Sequence, residues 1–153
     1  MLNRGLIVSC QACENEPLYG YGIMNLMAKA AVAGGACGIR ALYYDVGSIK
    51  NTVNVPVIGL VKQSYANSEI YITPTKKEVD LVLATSADCL AMDATLRPRP
   101  NGETLEELVA YVRQTRPDME IMADIATTEE AENAEKLGFD YISTTLRGYT
   151  KET

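Results

Sequence analysis

Short, continuous apolar runs alternate along this chain with stretches whose apolar positions recur every three or four residues. Runs of the first kind read as buried strands, and stretches of the second kind as helices with one apolar face. Leu6–Cys10 is the first run, and it stops at polar Gln11. Beyond a turn-rich loop, Ile23, Leu26, Met27, Ala30 and Ala31 share one helical stripe that opens at Gly22 and stops at Gly34 and Gly35. Residues 38–42 predict a second strand with Arg40 inside it, residues 45–50 a short helix, and residues 57–62 a third strand ending on Lys62. Residues 65–73 form an excursion with β character.

Three capping-box pairs then mark helix starts: Thr75 with Glu78, Thr104 with Glu107, and Thr127 with Glu130. Behind them lie the apolar faces Val79, Val82 and Leu83, then Leu105, Leu108, Val109 and Val112, then Ala131, Ala134 and Leu137. Between these helices, residues 89–92 lead into Asp93, residues 121–123 into Asp124, and Tyr141–Ser143 into Thr144 and Thr145. Such alternation predicts an α/β fold with a parallel sheet and right-handed crossovers, so every strand's carboxyl end reaches the same edge. Gln11, Arg40, Lys62, Asp93, Asp124 and Thr144 are therefore expected on one rim, in an open doubly wound sheet or in part of a barrel.

A lysine on that rim is either a solvated strand-end residue or, partly stripped of water, a base. Arg40, set among apolar neighbours, needs an anion, which is either an acidic side chain or a substrate group. Together with the two aspartates they suit acid–base work on a polar, anionic substrate.

Composition narrows the chemistry further. The 153 residues suit a single domain spanning 1–153 and fall short of the roughly 250 residues of a closed eight-stranded barrel. A net charge of −6 and a pI near 4.7 argue against nucleic acid or an anionic membrane as partner. No histidine is present, which excludes Ser-His-Asp triads and the usual zinc hydrolase sites. Cys10 and Cys13 form a C-x-x-C, but no further ligand pair accompanies it, so four reduced thiols and no metal are expected. No apolar run approaches the about 18 residues of a membrane span, and the first residues lack the parts of a signal peptide. A cytoplasmic chain is the expectation.

Several peptides, in this order, carry a resemblance: SCQA at 9–12, IRA at 39–41, GLVK at 59–62, SEIYITPT at 68–75, LAMDAT at 90–95 with RPRPNGE at 97–103, MADI at 122–125, and GFDYISTTLRGYT at 138–150. Together they resemble the N-acylglucosamine-6-phosphate 2-epimerase family, bacterial enzymes that interconvert N-acetylmannosamine 6-phosphate and N-acetylglucosamine 6-phosphate in sialic acid breakdown. The resemblance implies a (β/α)8 TIM barrel, of which about six of the eight units lie in this chain, and no cofactor. It implies Lys62 as the residue acting at C2 of the sugar, with Gln11, Arg40, Asp124, Ser143 and Thr144 around the substrate. Cys13 lies outside the family motif. The family's second catalytic group, a glutamate, is placed beyond Thr153, so residues 1–153 alone are expected to fall short of full interconversion. They are also expected to self-assemble as a homodimer or larger, because an arc of six strands leaves two edges open. A non-catalytic sugar-phosphate binding or assembly fragment and a small doubly wound protein are the competing expectations, and strand order separates the second of these from the rest.

Overall fold

The computed structural model describes residues 2–153. Six strands, β1 (Leu6–Cys10), β2 (Ala36–Leu42), β3 (Val57–Leu60), β4 (Cys89–Asp93), β5 (Glu120–Asp124) and β6 (Tyr141–Ser143), form one sheet in the order β1-β2-β3-β4-β5-β6. Every neighbouring pair is parallel. The helices between them are α1 (Met24–Ala33), α2 (Tyr43–Lys50), α3 (Lys76–Leu83), α4 (Leu105–Thr115) and α5 (Thr128–Lys136). Strand order never reverses, so there is no switch point and the doubly wound expectation fails.

The period of two along each strand sorts the apolar residues into two cores. Ile39, Ala41, Val57, Leu90, Met92, Ile121 and Ala123 face the helices and pack with Val46, Val79, Val82, Leu108, Val112 and Ala134. On the opposite face Leu42, Ile58, Leu60, Cys89, Ala91 and Met122 cluster with Ile72, Ala126 and Leu146, and no helix contributes to that cluster. All five helices thus cover one face, and the other turns inward. Arg40 and Asp124 establish the curvature. They stand on β2 and β5, three strand spacings or roughly 14 Å apart in a flat sheet, yet their side chains meet at 2.9 Å.

The three capping boxes form as the Thr and Glu spacing predicts, at the starts of α3, α4 and α5. The face of α1 is a correction. Met24 and Ala28 are its buried residues, whereas Leu26 and Met27 of the expected stripe are 58% and 47% exposed. Only Asn25 and Lys29 interrupt this helix, so its pattern admits two faces; the one that packs inward carries Ala28, small enough for close approach to the sheet. β3 also ends sooner than expected, at Leu60, two residues before Lys62.

At Gly59 the sheet packs tightly against Val82 of α3, Val46 of α2 and Ala87 of the loop after α3. A Cβ built there would lie 3.0 Å from Ala87 Cβ and 3.1 Å from Val82 Cγ1, tighter than ordinary van der Waals contact. Gly59→Ala is therefore expected to destabilise the chain by about 1–3 kcal/mol, as measured by urea denaturation. An unchanged midpoint would show that α3 moves aside freely.

Candidate active site

Local strand registers group the rim residues. Ser9 pairs with Arg40, and Asp93, Asp124 and Ser143 are neighbours across β4, β5 and β6. Arg40 offers its planar fork to Asp124, with Nη1 donating to Oδ1 at 2.9 Å and Nη2 to Oδ2 at 2.5 Å. The two side chains are 12% and 0% exposed. Bidentate geometry fixes the guanidinium plane against the carboxylate, which a lysine could not do. The anion that Arg40 needs is thus supplied within the chain.

Gln11 stands beyond β1, where its Nε2 donates to Ser9 Oγ at 2.8 Å. Its Oε1 is buried and has no hydrogen-bond partner among the described residues. A buried acceptor left empty costs about 1–3 kcal/mol, so an N–H or O–H donor arriving from a ligand would be favoured there. Ser143 is half-buried and shares a 2.6 Å hydrogen bond with Thr145 Oγ1, and Thr144 is exposed at the end of β6.

Asp93 is buried and engaged in holding its own loop. It accepts hydrogen bonds from the Thr95 amide and hydroxyl and an ion pair from Arg97 Nη2 at 2.8 Å. Burial pushes its carboxyl up, opposed by Thr95 and by the charges of Arg97 and Arg99. Arg99 donates to the carbonyls of Pro74 and Asp93, and burial lowers its guanidinium to about 10. The prolines and arginines of residues 97–100 thus form a scaffold clamped onto the strand end.

Lys62 is exposed, as in the first of the two readings of a strand-end lysine. Its ammonium has no side-chain partner among the described residues. It lines a cavity of about 440 Å³ together with Leu42, Tyr43, Tyr44, Gln63 and Glu78, while Gln11, Arg40 and Asp124 do not line that cavity. The structure therefore brings Arg40 and Asp124 into contact and leaves Lys62 unengaged at the mouth above β3.

Sequence reasoning missed two residues of the excursion over residues 65–73. Tyr71 packs half-buried against the inner cluster, and burial together with the negative charges of Asp93 and Asp124 pushes its phenol up. Thr73 is fully buried with φ +45, a left-handed conformation that costs a β-branched residue on the order of 1–3 kcal/mol. Neither follows any hydrophobic period. The C-x-x-C is not a unit, since Cys10 belongs to the helix-side core and Cys13 packs against the inner cluster.

Parallel strands in sequence order, helices on the outer face and polar side chains at the carboxyl ends define six units of a (β/α)8 barrel with its chemistry at the carboxyl rim. The model of the family described as "NanE: Putative N-acetylmannosamine-6-phosphate epimerase" matches residues 24–153, and the chain belongs to this family. It is 57% identical over 154 residues to the "Putative N-acetylmannosamine-6-phosphate 2-epimerase" of Staphylococcus aureus (strain JH9), covering 100% of this chain and 69% of that one. A solved N-acetylmannosamine-6-phosphate 2-epimerase from Clostridium perfringens superposes with a TM-score of 0.91 at 51% identity, over 96% of this chain and 64% of that one. The chain thus spans about two thirds of the length of these relatives. Thiamine phosphate pyrophosphorylase from Pyrococcus furiosus, with a TM-score of 0.56 at 18% identity, shares the fold alone. Among the described residues no helix is long and apolar enough to cross a membrane.

Proposed function

We propose that this rim exchanges the C2 proton of N-acetylmannosamine 6-phosphate, with Lys62 as the base, in the catabolism of amino sugars and sialic acid in the cytoplasm. In the open-chain sugar the C1 carbonyl acidifies the C2 proton. Lys62 takes that proton, and the C–H electron pair moves onto the carbonyl oxygen as an enolate. Arg40 stabilises the enolate oxygen or orients the acetamido group, and Asp124 fixes the guanidinium plane. Gln11 Oε1 accepts a hydrogen bond from a sugar hydroxyl or the amide, with Ser143 and Thr144 beside it. No cofactor enters this chemistry. Return of a proton to the opposite face yields N-acetylglucosamine 6-phosphate.

The observation that carries this reading is an unengaged lysine on the same rim as a fixed Arg40–Asp124 fork in a chain of the epimerase family. Proton return needs a second acid, and the rim aspartates Asp93 and Asp124 are both held by arginines. One-sided exchange therefore exceeds interconversion in residues 1–153. We further propose that copies of this chain associate as a homodimer or larger assembly.

Titration with N-acetylmannosamine 6-phosphate, followed by NMR, tests the site. Resonances of the Gln11 amide, Arg40 Nε and Lys62 are expected to shift together, with a sedimentation profile heavier than a monomer. Binding that leaves all three unmoved would overturn the assignment. Binding at all three without any C2 exchange would make this a sugar-phosphate binding module.

A further inference from the structure

We propose that Thr73 is a positioning residue for Lys62, an inference that rests on reading Lys62 as the base. β3 and β4 pair directly only at Ile58 with Cys89 and Gly59 with Leu90. Past that point the returning chain at residues 70–73 lies between them and takes over their backbone groups. Thr73 N donates to the Val61 carbonyl at 2.8 Å, and Thr73 Oγ1 accepts from Val61 N at 3.2 Å and donates to the Ala91 carbonyl at 2.7 Å. One residue thus satisfies both backbone groups of Val61, the residue immediately before Lys62. The wedge continues on either side: Lys62 bridges Ile72 in antiparallel sense, Gln63 N donates to the Tyr71 carbonyl, and Asp93 N donates to the Ile72 carbonyl.

Glycine would adopt φ +45 without strain, yet a β-branched residue stands there, fully buried. What threonine supplies and glycine lacks is the hydroxyl, the group that spans from Val61 N to the Ala91 carbonyl. The hydroxyl therefore sets the height and direction at which the chain leaves β3, and with it where the lysine emerges. A hydroxyl serving only to close the gap between two strands would stabilise the sheet without affecting the rate at the lysine.

Thr73→Val keeps the shape and removes the hydroxyl, Thr73→Gly also relieves the backbone, and Thr73→Ser keeps the hydroxyl. Each is made in this chain and compared by C2 deuterium exchange, affinity for N-acetylmannosamine 6-phosphate, thermal unfolding and the Lys62 ε-methylene NMR signal. Thr73→Ser is expected near the parent rate. Thr73→Val is expected to lose about a hundredfold in exchange rate while affinity holds, and its Lys62 signal to lose its response to bound sugar. If Thr73→Val does not fold, Thr73→Gly carries the same expectation. Parent-rate exchange in a folded variant without the hydroxyl would overturn the inference, as would a Lys62 signal that still responds as in the parent. Lys62→Ala serves as the separating control. Parent-rate exchange in that variant, or none in the unsubstituted chain, defeats the base assignment instead, and the Lys62 signal then decides on positioning alone.

Discussion

Lys62→Ala is expected to abolish C2 proton exchange, a loss of at least about 10²- to 10⁴-fold, while the chain still folds. The side chain is exposed and makes no ion pair among the described residues, so its truncation removes little buried area and strands no charge. Loss of activity without loss of stability is the signature that separates a base from a packing residue. Deuterium incorporation at C2 and urea denaturation, measured on the same preparation, give both numbers. Exchange near the parent rate would remove Lys62 from the mechanism.

Arg40→Ala is expected to cost the fold as well, by about 3–5 kcal/mol. Asp124 is 0% exposed, and both its carboxylate oxygens are held by the guanidinium, so truncation leaves an uncompensated buried charge. Arg40→Lys is expected to fall between, because a point charge satisfies one oxygen where the fork satisfies two. Replacing both partners with apolar residues, Arg40→Met with Asp124→Leu, is expected to recover most of the stability and none of the exchange. A double variant as unstable as Arg40→Ala would show that the cost lies in packing and not in the stranded charge.

Local signals in the sequence were reliable because their physics is local. Each capping box closes within four residues, and the apolar run of residues 121–123 needs only its own stretch of chain to be read. The rim also followed, since right-handed crossovers give every strand the same direction. Arg40 shows where this stops. Pattern alone left its anion undecided between an acidic side chain and a substrate group, and the structure answers with Asp124, 84 residues away across the curve of the sheet. Sequence spacing holds no record of that curvature.

Asp93 is a different kind of miss. Its partners Thr95 and Arg97 stand two and four residues on, so the D-x-T-x-R spacing was a readable sign of a loop folding back on its strand end. Helix α1 failed because eight of its ten residues are apolar, and a stripe cannot be read where nearly every position qualifies. The wedge at residues 70–73 had no signal of this kind, since its bonds join three separate segments near residues 61, 73 and 91.

The most direct measurement of the account is the fate of the C2 hydrogen. The purified chain of residues 1–153 is incubated in D2O with N-acetylmannosamine 6-phosphate, and the C2 proton signal is followed by NMR. That signal is expected to disappear as deuterium enters from solvent, with N-acetylglucosamine 6-phosphate forming more slowly than deuterium enters. A C2 proton that persists at saturating sugar phosphate, in a chain shown by its shifts to bind it, would contradict the account.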